Sequence, residues 1–101
     1  MVATAKSVNI GTLISRSPDV WHGLPMIAGT RIGVIGIVSL HLIDHMKPEE
    51  IAQSKGVTLA QVFAALAYYY ANKQLVDKEI AQEQASYDRL AKENQNVTSD
   101  S

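Results

Sequence analysis

Glu50-Ile51-Ala52-Gln53-Ser54-Lys55-Gly56-Val57-Thr58-Leu59-Ala60-Gln61-Val62 is the stretch that decides the fold. Ile51, Val57 and Val62 are spaced as the apolar anchors of two short helices that cross at a turn. Ala52 supplies the small residue needed at the crossing. Gly56, four positions on, supplies the residue that tolerates positive φ in the turn. The spacing is that of a helix-turn-helix.

The flanking residues fix the ends of both helices. Pro48 disfavours helix at Lys47 and suits the first turn of the helix that follows, where Glu49 and Glu50 complement the positive end of the dipole. This helix is expected to run to Ser54 or Lys55 and to stop at Gly56. Thr58 is a natural N-cap for the next, with Gln61 in place for a capping box. That helix is expected over Leu59 to about Lys73, with Val62, Phe63, Leu66, Tyr69 and Tyr70 at helical spacing. Tyr68, Tyr69 and Tyr70 cannot share one face, so at least one looks to solvent or to a partner.

Upstream, Val34 to His45 is apolar on all sides, as in a helix buried over most of its surface. Before it, turn formers at Ser17-Pro18-Asp19, His22-Gly23 and Ala28-Gly29-Thr30 separate short apolar pieces: Leu13-Ile14, Val20-Trp21, Pro25-Met26-Ile27 and Arg31 to Val34. These read as short β-strands, too few to stand alone in water. They are expected to leave edges that pair between two chains, with Trp21 or Ile27 buried at the dimer contact. Downstream, Asp77 to Glu93 sets Ile80, Tyr87 and Leu90 on one stripe among charges, an amphipathic helix. The fold class is therefore mainly α. A helix-turn-helix-like domain with N-terminal β-strands occupies residues 10–75, an amphipathic helix 76–93, and disorder is expected at 1–8 and 94–101.

Composition excludes several chemistries. There is no cysteine, hence no disulfide, zinc-thiolate site or thiol nucleophile. The longest apolar run, Val34 to Leu40, falls far short of the roughly 20 residues of a membrane span, and Met1 to Lys6 lacks a signal-peptide core. A cytoplasmic location is expected. The net charge of −1 gives no general attraction to nucleic acid. Through Leu75 the balance is +2, and from Val76 onward it is −3.

Pro18-Asp19-Val20, then Gly23-Leu24-Pro25-Met26-Ile27-Ala28-Gly29-Thr30-Arg31-Ile32, Pro48-Glu49-Glu50-Ile51 and Ala64-Ala65-Leu66-Ala67-Tyr68-Tyr69 occur in that order. Together they resemble the bacterial family called domain of unknown function 433, over about residues 10 to 75. The longer C-terminal helix looks like the variant found in cyanobacteria. The resemblance implies a homeodomain-like three-helix core, commonly dimeric, and a VapB-type antitoxin role with a PIN-like ribonuclease toxin as partner. The sequence departs from the family at three places. Leu24 and Ala28 stand where basic residues are common, and the Gly usual before the second helix is missing from Asp44-His45-Met46.

Candidate DNA contacts are Arg31, Lys55, Thr58 and Gln61, of which only Gln61 is well suited to read a base. Arg31 is read first as a structural guanidinium bonding the carbonyls of the Gly-rich turns. Candidate partner-binding residues are Ile80, Glu83, Tyr87 and Leu90. His41, Asp44 and His45 have metal-ligand spacing on one helix face but lack a third ligand of the right kind and a general base, so neither metal nor cofactor is expected. Nothing in the sequence arranges residues for catalysis. The expected function is that of an antitoxin, dimeric, binding a PIN-like toxin and its own promoter DNA. The alternative is a stand-alone dimeric interaction module that binds neither.

Overall fold

The computed structural model describes residues 7–99. After a 3-10 turn at Ile10–Thr12 come strand β1, Ile14–Ser15, a second short turn at Trp21–Gly23, and strand β2, Met26–Ile27. Four α-helices complete the described residues: α1, Val34–Leu42; α2, Pro48–Lys55; α3, Leu59–Ala71; and α4, Lys73–Ser99. The chain divides into two compact units, the first ending at Ala71 and the second beginning at Asn72. The expected mainly α architecture with short N-terminal strands is what forms. The expected disorder at 1–8 and 94–101 falls partly on residues 1–6 and 100–101, outside the described residues, while the backbone of α4 continues to Ser99.

In the first unit α3 packs on α1 and α2 and also touches β1, β2 and the first turn. Its buried face carries Val62, Ala65, Leu66 and Tyr69, which close on Val34, Ile37 and Val38 of α1, Ile51 of α2 and the pair Met26-Ile27. Burying these apolar side chains is the main force holding the unit together. No helix among the described residues is long and apolar enough to cross a membrane.

The turn between α2 and α3 forms as its residues require. Gly56 caps α2 with φ +68° and donates its N–H to the Ala52 carbonyl, and the Val57 N–H shares that acceptor at 3.1 Å. At the start of α3 the capping box is complete. The Gln61 N–H donates to Thr58 Oγ1 at 3.0 Å, and the Thr58 N–H donates to Gln61 Oε1 at 2.8 Å. At α2 only half a box forms: the Lys47 N–H donates to Glu50 Oε1 at 2.8 Å, but a lysine ammonium has no acceptor to return the bond. A Cβ at Gly56 would meet nothing within 4 Å, so the cost of placing one there, as in Gly56→Val, begins with the left-handed backbone conformation. The variant is expected to lose about 1 kcal/mol or more of stability, read from its urea midpoint; an unmoved midpoint would mean the left-handed turn is not needed.

Helix α1 ends earlier than its apolar run predicts. His45 turns the chain with φ +58°, the Met46 N–H donates to the Leu40 carbonyl at 3.0 Å, and His41 Nδ1 lies 2.9 Å from the Met46 carbonyl. Nor is α1 buried all round: Leu42 at its end is 40% exposed, and Ile43, just past it, is 70% exposed. His45 occupies the left-handed position that a glycine takes without strain. His45→Gly is therefore expected to stabilise the domain by up to about 1 kcal/mol, seen as a rise in Tm; a fall would place the histidine side chain among the stabilising contacts.

The strand region also differs from the simple alternation of pieces. β1 and β2 pair with each other, antiparallel, with Ile14 opposite Ile27 and Ser15 opposite Met26. The Arg31 to Val34 piece contributes only a bridge from Gly33 to Met26, and Val20-Trp21 enters a turn. Gly29 has φ +76°, and the Thr30 hydroxyl donates to the Ile27 carbonyl at 2.8 Å while accepting the Ile32 N–H at 3.0 Å. The Gly-Thr pair thus closes the hairpin from Ile27 to Ile32 by local hydrogen bonds, which is why those residue types sit there.

Candidate interaction surfaces

The residues singled out in the sequence lie on several different elements. Among the candidate DNA contacts, Thr58 and Gln61 spend their side-chain oxygens on each other's backbone at the α3 cap. Arg31 and Lys55 are exposed. Arg31 bonds none of the Gly-rich turns, contrary to the structural role expected for it. That role belongs to Arg16, which the sequence did not mark.

Arg16 Nη1 donates to the Gly23 carbonyl at 3.0 Å, Nε donates to the Tyr68 hydroxyl at 2.7 Å, and the guanidinium carbon lies 5.5 Å from the centre of the Tyr68 ring. The clamp fastens an unusual turn to α3. Trp21, His22 and Gly23 all have positive φ, at 49°, 57° and 80°. Such conformations cost about 1–3 kcal/mol each outside glycine and persist only where the surroundings hold them. Here the Gly23 and Leu24 N–H groups donate back to Val20 and Trp21, and Arg16 fixes the far side. Nothing local in the sequence announces a partner 52 residues away.

Of the two candidate dimer residues, Trp21 is 56% exposed, whereas Ile27 is fully buried within its own chain. A side chain already out of water gains nothing from a second copy, so Ile27 is a core residue and not a contact between subunits. On the metal-like cluster, His41 is engaged at the Met46 carbonyl, and Asp44 and His45 are exposed.

Two helical faces remain bare. The first belongs to α3, whose Leu59, Phe63 and Tyr70 are 40%, 49% and 58% exposed beside its core-facing residues. The second belongs to α4. There Tyr87 and Leu90 are 72% and 59% exposed, Ile80 is half-buried and Glu83 is exposed. The Lys73–Asp77 ion pair at 2.9 Å and the Gln84–Asp88 hydrogen bond at 3.0 Å are i,i+4 pairs that stiffen this helix along its polar sides. Large aromatic and aliphatic side chains held on rigid helices are the ordinary means of gripping another protein.

The family model for proteins of unknown function, DUF433, matches residues 14–69. The chain belongs to the DUF433 family. The crystal structure of a DUF433 member from Anabaena variabilis ATCC 29413 is similar to it, with 31% sequence identity, a TM-score of 0.63 and coverage of 69% of each chain. No curated protein matches. The matched DUF433 segment contains the Arg16 clamp, the Thr30 latch, the Gly56 turn and Leu59 and Phe63 of the bare face of α3, and it ends at Tyr69, one residue before Tyr70.

Proposed function

We propose that this DUF433 chain is an antitoxin-like binding protein whose α4 docks on a PIN-like ribonuclease and blocks it. The observation that carries the reading is the exposure of Tyr87 and Leu90 on one stripe of α4. A helix with so large an apolar surface in water is stabilised by laying that surface in a groove. From Val76 onward the charge is −3, which steers the helix toward the basic surface an RNA-handling enzyme presents. The resemblance read from the sequence supplies the identity of the partner.

Promoter binding is the weaker part of that reading. Base readout from α3 needs polar side chains on its outward face, and that face carries Leu59, Phe63 and Tyr70. The alternative, a stand-alone dimeric interaction module, is favoured by the same apolar face. A titration of the chain into a PIN-like ribonuclease found in a neighbouring reading frame, read as loss of RNA cleavage, tests the toxin arm. Cleavage unaffected by a molar excess of the chain would leave the interaction module as the function.

A further inference from the structure

Val76, Ile80, Glu83, Tyr87 and Leu90 follow one another along α4 at steps of four, three, four and three residues. This is the heptad rhythm by which one helix lays a continuous seam along another. At about 100° per residue the five positions stay within a sector about 80° wide. Exposure changes along the seam. Val76 is fully buried and Ile80 half-buried, whereas Glu83, Tyr87 and Leu90 are exposed. The bare part of the seam therefore begins with a carboxylate.

Charge is sorted around it. Glu83 lies in the seam, Glu79 borders it, and Asp77 and Glu93 stand on its two flanks, Asp77 being paired with Lys73. Lys78, Arg89 and Lys92 fall on the opposite side of the helix, about 160–220° round from Val76.

We propose that this seam pairs with a single basic amphipathic helix of another protein, whose apolar residues repeat at the same steps and whose Lys or Arg faces Glu83. A carboxylate taken out of water without a counter-charge is costly, so position 83 selects a cation. A second copy of the chain does not supply one. Parallel and in register it sets Glu83 against Glu83; antiparallel, with Ile80 opposite Leu90, it brings Glu79 beside Glu93. Nucleic acid is repelled by the same acids. The inference rests on the reading of α4 as the docking helix, but not on the partner being a ribonuclease. It adds the secondary structure the partner must present and the charge that structure must carry.

The test titrates the full chain into three fluorescein-labelled peptides, read by anisotropy. The first is a three-heptad helix with Leu along its seam, Lys on its flanks and Arg facing Glu83. The second has the same composition in shuffled order. The third is the first with Glu in place of that one Arg. The wild type is expected to bind the first peptide about tenfold or more tightly than either of the others. Glu83→Lys alters an exposed side chain, so it is expected to keep the helical circular dichroism and to reverse the preference between the two ordered peptides. Equal binding of the ordered and shuffled basic peptides would reduce the seam to plain charge attraction. A Glu83→Lys chain with wild-type preference would remove Glu83 from the contact. Either result overturns the proposal, as does self-association of the wild type that Tyr87→Asp with Leu90→Asp abolishes, since a second copy would then hold the seam. Inhibition of a PIN-like ribonuclease by a chain that does not discriminate among the peptides would sink this inference and leave the antitoxin reading standing.

Discussion

Ile51→Ala is expected to lower the unfolding free energy by about 2–5 kcal/mol, a large share of what a domain of this size possesses. Ile51 is completely out of water and is the buried residue of α2, whose other side chains are polar, sit at its ends or, at half-buried Ala52, carry only a methyl group. Truncating it removes the transfer energy of three carbons. It also leaves a hole, because α2 is only eight residues long and is held at one end by the Gly56 turn and at the other by Pro48. Helix α2 has little else to fasten it to α3, so the loss should also appear as faster amide exchange throughout residues 48–55. Urea unfolding followed by circular dichroism measures the first effect. A midpoint within error of wild type would mean that α2 is anchored elsewhere.

The second large effect is functional. Tyr87→Asp with Leu90→Asp is expected to weaken binding to the proposed PIN-like ribonuclease partner by about a hundredfold or more while leaving Tm within a few degrees of wild type. Both side chains are well over half exposed, so their replacement removes little from the fold. At an interface the same two residues are the natural anchors, and an aspartate at either place brings an unpaired charge into a desolvated contact. Calorimetric titration of the double variant reads the outcome directly. Wild-type affinity in the double variant would remove the stripe from the interface, and a collapse in Tm would show that the stripe serves the fold.

How far the fold could be read in advance depended on whether the deciding chemistry was local. The α2–α3 turn was legible because Pro48, Gly56 and Thr58 each act on their own backbone, and the observed ends fall where those residues put them. Helix α1 was read too long because its end depends on a strained histidine and on a side chain reaching the Met46 carbonyl, neither of which carries a pattern. Val20-Trp21 has the residue types of a strand, yet the Arg16 clamp to Tyr68 holds the chain in a left-handed turn there. The same long-range bond gives Arg16 the structural role that the sequence pattern points to at Arg31. For α4 the stripe of Ile80, Tyr87 and Leu90 was legible, but its helix runs from Lys73 to Ser99, beyond the expected Asp77 and Glu93, since neither flank holds a glycine or proline to stop it. Helix α3 is apolar almost all round, so periodicity alone grouped Phe63 with Val62, Leu66 and Tyr69 and could not say which face meets the core. Packing against α1 and α2 made that choice, and it left Phe63 outside.

The central claim is that α4 carries the recognition of a ribonuclease. Its most direct measurement is an RNA-cleavage titration with a PIN-like ribonuclease of the kind proposed as partner, comparing the full chain with a chain ending at Ile80. That cut keeps the buried Val76 and removes Tyr87 and Leu90. The expected result is stoichiometric inhibition by the full chain and none by the shortened one, with both showing the same cooperative unfolding of the first unit. Equal inhibition by the two chains, or none by either, would contradict it.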